Sequence, residues 1–299
     1  MDLGLILQLF RPVLLAEAAL LYALGVGIAH YLGATISPGL WLAGQAWVTL
    51  LQISVNLFGE VYTDRVDRDK PHTPNDGRGN RPDRIALVRR SLRLAAMGCL
   101  AALAMLTVAM MLQAAFTPLT NFLMALAFLG GFFYYIPPVR LAFTGYGELI
   151  ASLLMGFFIP AFAFELQTRE LHRLLVMVIS PLVFLHLAMM IVYGFESYAG
   201  DIQKSRQTLV LRMGWQNALV AHNLLVLGAY LLVGIALVFG LPNSVALPMF
   251  LSMPFGGLQI WLLRKLAAGQ KPNWRLINLS AVATFIAASY LLTYSFWMN

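Results

Sequence analysis

Nine apolar stretches, at roughly 12–33, 40–63, 91–113, 119–137, 147–165, 174–196, 215–240, 244–264 and 276–297, take up most of this 299-residue chain. Each is near the ~20 residues that a helix needs to cross a bilayer. Backbone in hydrocarbon must satisfy its own N–H and C=O groups, and no strand-period pattern here competes with helices. The stretches therefore predict an all-α, polytopic membrane protein: nine transmembrane helices in one bundle around a central cavity, with residues 1–299 forming a single domain. Composition agrees. Charged residues make up 11% of the chain, against about a quarter in soluble domains. The single Cys99 excludes a disulfide framework or a thiolate metal site within the chain. The first apolar run continues into a full span, which predicts no cleavable signal peptide.

The net charge of +7 is explained by orientation rather than by nucleic acid. With the N-terminus in the cytoplasm, eighteen of the 20 Lys and Arg fall in cytoplasmic segments, and only Arg169 and Arg173 lie opposite. This predicts N-terminus in and C-terminus out. The segments 64–90 and 197–213 then open on the cytoplasmic face.

Both of those segments carry acids, in a chain with only 13 Asp and Glu. Glu60, Asp64 and Asp67 are spaced by four and three, so they share one face if the helix continues that far. Asn56 lies one turn earlier on that face, and Asp69 lies off it. Carboxylates at the mouth of a membrane helix are costly and point to function. Oxygen ligands in this pattern suit Mg²⁺, which in turn binds phosphate. The bland reading is a solvated helix end whose acids pair with Arg65, Arg68 and Lys70. The second cluster holds Glu196 and Asp201, with Gly200 able to permit a local distortion that brings them together. Lys204 and Arg206 follow, suited to phosphate oxygens. Two acidic groups on one face can hold metal ions around one diphosphate.

Three further features stand out. The loop around Gly77-Arg78-Gly79 lets backbone N–H groups and a guanidinium approach an anion. Tyr134-Tyr135-Ile136-Pro137-Pro138-Val139-Arg140-Leu141 ends a helix, and Arg140 and Glu148 flank the turn that follows as a candidate pair. Glu17 lies inside the first span, where an acid is a functional candidate by default. It is read either as binding an acceptor hydroxyl or proton, or as a neutral group bonded to a neighbouring helix. His186 and His222 are read as helix–helix contacts. Tyr193, Tyr134, Tyr135 and Tyr62 are read as interfacial belt residues, with cation stabilisation as the alternative.

In order, these residues resemble the UbiA superfamily of intramembrane prenyltransferases, especially the branch of 1,4-dihydroxy-2-naphthoate prenyltransferases. Phe10-Arg11-Pro12 opens the first span in the family's manner. Asn56-Leu57 and Glu60 match its Asn-Leu-x-Asn-(Asp/Glu) start, with Gly59 where an Asn is usual and Asp64 one residue late. Asp69, Thr73-Pro74 and Gly77-Arg78-Gly79 echo the later part of that motif. Tyr135 to Leu141, Gly145 and Gly147-Glu148 resemble its Tyr-x-x-Pro-Pro-x-(Arg/Lys)-Leu…Gly-x-Gly-Glu stretch. Asp201, Thr208-Leu209 and Arg212-Met213-Gly214 fit the second motif, with Ser197 where an acid is usual.

The resemblance implies Mg²⁺-dependent transfer of an isoprenyl group from an isoprenyl diphosphate to an aromatic or other small acceptor. It implies metal binding by Glu60, Asp64, Asp67, Asp69, Glu196 and Asp201. It places Asn56, Glu60, Asp64 and Asp201 in the catalytic set, and Arg78, Lys204, Arg206, Tyr135, Arg140 and Tyr193 around the substrate. The implied location is the membrane of a bacterial or archaeal cell. Two alternatives remain at this point: an intramembrane terpene cyclase of the same superfamily, and a transporter or non-catalytic membrane protein.

Overall fold

The computed structural model describes residues 11–63, 81–113, 116–203 and 206–299. Among them every regular element is helical. In order these are α1 (Pro12–Tyr31), α2 (Pro38–Tyr62), α3 (Arg81–Gln113), α4 (Pro118–Tyr135), α5 (Gly147–Thr168) and α6 (Arg173–Gln203), followed by the short α7 (Leu209–Met213), α8 (Trp215–Val238), α9 (Asn243–Ala267) and α10 (Trp274–Met298). A 3-10 turn, Leu141–Phe143, joins α4 to α5.

Prolines and small polar residues punctuate the bundle. Pro12, Pro38 and Pro118 open helices at positions where a missing N–H costs nothing. Thr117 and Thr120 form a reciprocal capping box at the start of α4. That helix ends at Tyr135, because Pro137 and Pro138 bar the helical conformation from the residues before them. Within α5, the ladder slips into a π-helical turn at Leu154–Phe158. Pro160 follows and has no N–H to give to the preceding turn.

Eight described helices have both the length and the apolar composition to cross a bilayer. The expected ninth span is α2, which is 25 residues long. It is not among the eight, because Gln45, Gln52, Asn56 and Glu60 dilute its apolar content.

A small apolar core joins Leu57, Phe58 and Val61 of α2 to Leu92 and Ala96 of α3. Two large apolar cores hold the bundle. One joins Tyr22 and Val26 of α1 to Trp47 and Leu51 of α2, Leu103 of α3 and Phe162 of α5. The other joins Ile179 and Leu182 of α6 to Ala229 and Val233 of α8 and to Phe285 and Ala288 of α10. Directed bonds fix the seams: the Trp47 Nε1–H donates to Thr107 Oγ1 at 2.9 Å, and the Trp297 Nε1–H to the Ala23 carbonyl at 3.0 Å. Large apolar side chains such as Met105, Leu112, Val238 and Leu251 point outward, fully exposed. Such a surface belongs in lipid, so the protein is an integral, multi-pass membrane protein.

Helices α1 and α5 meet backbone to backbone at Gly25, where a Cβ would stand 2.2 Å from the Pro160 carbonyl oxygen. Gly25→Ala is expected to destabilise the fold by about 1–3 kcal/mol through overpacking. The readout is a lowered thermal midpoint of the detergent-purified protein. Gly98→Ala, on the open face of α3 with nothing within 4 Å of the added Cβ, is expected to leave that midpoint unchanged or slightly raised.

Candidate active site at one end of the bundle

The C-termini of α2, α4 and α6 and the N-termini of α1, α5 and α10 gather at one end of the molecule. Asn56 and Glu60 lie one turn apart near the end of α2, and both are buried. A carboxylate taken out of water needs a counter-charge. Arg11 supplies it: Nη2 donates to Glu60 Oε1 at 2.9 Å. Arg11 is the N-cap of α1, held in the left-handed region at φ 46° just before Pro12. Tyr135, the last residue of α4, lies against the same guanidinium. Burial works against the charge on Arg11, but Tyr135 and Glu60 outweigh it and hold its pKa above the ordinary arginine value.

Tyr135 also explains the residue next to Glu60. A Cβ on Gly59 would stand 2.8 Å from Tyr135 Cε2. The ring therefore packs on the bare backbone of α2, and the usual family Asn has no room there.

The helix stops sooner than the acidic stripe requires. It ends at Tyr62, and Thr63 is extended (φ −108°, ψ 140°). The Thr63 N–H and hydroxyl both donate to the Gly59 carbonyl and seal the end. The described part of that helical face thus carries Asn56 and Glu60 and ends at Thr63. Asp64, Asp67, Asp69, Arg78 and Lys204 lie outside the described residues.

The second acidic group is arranged differently from the expectation. Helix α6 runs unbroken through Gly200 to Gln203, so no distortion gathers Glu196 and Asp201. Five residues turn a helix by about 140° beyond a full turn, which points the two acids to different faces. Glu196 is exposed and accepts from Asn278 Nδ2 of α10 at 2.5 Å. Asp201 is buried and accepts from Ser197 Oγ at 2.5 Å. Ser197, which stands where the family usually has an acid, is therefore a hydrogen-bond donor to the motif's own aspartate. Tyr193 is half-buried on α6, within electrostatic range of both Glu17 and Glu196.

The stretch after α4 docks the tail of this second group. The Arg206 N–H returns to the Asp201 carbonyl at 3.0 Å, and its guanidinium lies over Phe143, 5.3 Å from the ring centre. Gly145 N–H donates to the Gln207 carbonyl at 3.1 Å. Both Glu148 oxygens accept the Leu209 N–H at 3.2 Å, at the start of α7. The expected Arg140–Glu148 pair is thus replaced by a carboxylate bound to backbone. Arg140 is exposed and heads the 3-10 turn at φ 48°. Arg212 lies over the Tyr146 ring at 4.1 Å and donates to the Thr144 carbonyl at 3.2 Å.

The two halves are therefore joined. Glu60, Arg11 and Tyr135 form one side, and Tyr135 reaches Phe143 at 6.3 Å between ring centres. Phe143 supports Arg206, which returns to Asp201. The residues not singled out for this site from the sequence are Arg11, as the partner of Glu60, and Asn278, as the partner of Glu196. Neither pairing leaves a local pattern, since the partners are 49 and 82 positions apart.

Comparison with known proteins defines the class. The model of the UbiA prenyltransferase family matches residues 19–282, so the chain belongs to that family of membrane prenyltransferases. It is 25% identical over 249 residues to the 1,4-dihydroxy-2-naphthoate octaprenyltransferase of Bacillus subtilis (strain 168), covering 82% of this chain and 74% of the relative. Its fold is similar to that of a UbiA homologue from Archaeoglobus fulgidus bound to GPP and Mg²⁺, with a TM-score of 0.65 at 17% identity, covering 98% and 99% of the two chains. It is also similar to a digeranylgeranylglyceryl phosphate synthase, with a TM-score of 0.64 at 15% identity, covering 98% and 96%.

The Gly59–Tyr135 contact is testable by a double-mutant cycle. Gly59→Ala is expected to push the ring off α2 and lower the thermal midpoint. In a Tyr135→Ala background, Gly59→Ala is expected to cost little further, with a coupling of about 1 kcal/mol between the sites.

Proposed function

We propose that this protein transfers an isoprenyl group from an isoprenyl diphosphate, with Mg²⁺, to an aromatic or other small acceptor within the membrane. One observation carries the reading: buried Glu60 and buried Asp201 stand at the same end of the bundle, tied into one assembly through Arg11, Tyr135, Phe143 and Arg206. The family and the B. subtilis relative support it. So do the names of the solved neighbours, which include one bound to DMAPP and Mg²⁺.

The donor chemistry fits a hard cation. Glu60, Glu196 and Asp201 offer carboxylate oxygens and Asn56 an amide oxygen, a set suited to Mg²⁺. Among the described residues no three His, Cys, Asp or Glu converge as a complete metal site. Asp64, Asp67 and Asp69 complete the set in this reading. When bound, Mg²⁺ compensates the charge that develops on the leaving diphosphate.

The chain's own groups do the rest. Arg11 holds Glu60 in place until a ligand competes for that carboxylate. Arg206, with Lys204 and Arg78, neutralises phosphate oxygens. The allylic C–O bond breaks and diphosphate leaves with the electron pair. The allylic carbon then bonds to the electron-rich acceptor, which gives up a proton. Apolar helix faces exclude water from the cation, and Tyr135 and Tyr193 offer π-faces to it. We place the N-terminus and the active site on the cytoplasmic side, because that orientation puts the great majority of the basic residues inside.

Asp201→Ala is expected to abolish product formation with little change in the thermal midpoint of the unliganded protein; unchanged turnover would overturn the assignment. Mg²⁺ with a prenyl diphosphate at about 100 times its Kd should stabilise the wild type by about 2.7 kcal/mol, and Asp201→Ala should lose that shift. Release of a hydrocarbon or alcohol without any acceptor would identify a cyclase instead. A single cysteine placed at Gln207, in a Cys99→Ala background, should react with impermeant reagents only from the cytoplasmic side.

A further inference from the structure

At the end of the bundle opposite the acidic groups, a groove of about 360 Å³ opens between α6 and α8. Arg173, Val176, Met177 and Ser180 line it from α6, and Leu232, Ile235 and Ala236 from α8. Steps of three and four residues place each set on one face of its helix. Arg173 opens α6, and Phe239, just past the end of α8, lines the same groove. The two helices thus run antiparallel along it, and from Arg173 to Ser180 it is about 10 Å long. Asp201 lies near the far end of the same α6, about 40 Å away.

Two observations say what fills the groove. Its walls are apolar and open outward, since Val176, Ile235 and Phe239 are exposed. The Ser180 hydroxyl donates to the Val176 carbonyl at 2.6 Å, so its hydrogen is already used. Left empty, such walls forfeit dispersion contacts that an alkyl chain would supply. The second observation is charge. Arg173 is exposed at the mouth, and the first turn of α6 holds no acid. No described carboxylate forms an ion pair with it, not even Glu170 three residues before it. Arg169, which ends α5, adds an exposed second cation at this end. The groove therefore pairs an apolar trough with an unanswered positive charge.

We propose that the α6–α8 groove binds one phospholipid with an anionic headgroup, its phosphate on the Arg173 guanidinium and one acyl chain between the two helices. A guanidinium matches phosphate oxygens through paired N–H donors. The aliphatic stem of Arg173 lies along the apolar wall while its head stays at the headgroup level. A zwitterionic headgroup would bring its ammonium towards Arg169 and Arg173, so a headgroup of net negative charge is preferred. A second copy of the chain docked here would bury Arg173 without a counter-charge. The lipid fastens α6 to α8 at the end away from the diphosphate site and takes no part in the reaction there.

The test is native mass spectrometry of the full chain, delipidated in detergent and then offered dioleoylphosphatidylglycerol or dioleoylphosphatidylcholine. Wild type is expected to retain one more phosphatidylglycerol than Arg173→Gln, with phosphatidylcholine retained equally by both. Ser180→Leu, which fills the groove and leaves Arg173 in place, is expected to weaken retention of phosphatidylglycerol by threefold or more. Phosphatidylglycerol should raise the thermal midpoint of wild type more than that of Arg173→Gln, while the lipid-free midpoints of the two agree. An unchanged phosphatidylglycerol count in Arg173→Gln would overturn the proposal, and so would an equal loss of both lipids. A lipid-free dimer of wild type that Ser180→Leu abolishes would overturn it too and assign the groove to a second copy. Turnover is expected to be the same in Arg173→Gln as in wild type, so the lipid site can fail while the prenyltransferase reading stands.

Discussion

A carboxylate inside an apolar bundle cannot be left to solvent, and that constraint organises the functional end of this molecule. Isolated charges cost several kcal/mol when removed from water, and breaking a buried pair leaves the survivor with that penalty. Glu60 is answered by Arg11, Asp201 by Ser197, and Glu148 by the Leu209 N–H. The first and the last of these tie one helix or loop to another, and the second lies within α6. Arg11 brings the start of α1 to the end of α2. Glu148 brings α5 to α7 and so pins the segment that follows Asp201. The site is assembled by satisfying its own charges, and the apolar cores beneath supply the frame against which those bonds can be aimed.

The order of helices was legible because each span carries its own evidence: an apolar run of bilayer length, in α1, α2 and α4 opened by a Pro. Motif positions were legible for the same local reason. What lay beyond reading was every partner chosen by tertiary packing. Nothing near Glu60 announces Arg11, and nothing near Glu196 announces Asn278. The acid spacing by itself left open where α2 ends. Competition from Thr63, whose hydroxyl and N–H both close on the Gly59 carbonyl, decides it instead. The same holds at α6. A glycine at 200 suggested a break, but a helix continues across one Gly when its neighbours hold it.

The departures from the family pattern also become physical statements. Gly59 is the residue that lets Tyr135 lie on α2, and Tyr135 meets both Arg11 of the Arg11–Glu60 pair and Phe143 on the Arg206 side. Losing a polar ligand position on α2 thus gains a rigid aromatic bridge between the two halves of the site. Ser197 follows the same logic. An acid there would face Asp201 at one helical turn, like charge against like. The hydroxyl instead donates to Asp201 Oδ2.

These substitutions shift charge within the site without emptying it. Arg11 holds its positive charge at any physiological pH, since its partners raise its pKa further. Before any ligand arrives, Glu60 is therefore compensated by a protein cation. Under the proposed function, metal and diphosphate bring charges of opposite sign, and the guanidinium then has a phosphate oxygen to pass to when it leaves the carboxylate. A bidentate-capable donor suits that exchange better than a point charge would. In that proposal the Arg11–Glu60 pair at the mouth of α1 and α2 has two roles in sequence: it compensates Glu60 in the empty bundle, and it presents an incoming anion with a partly desolvated cation.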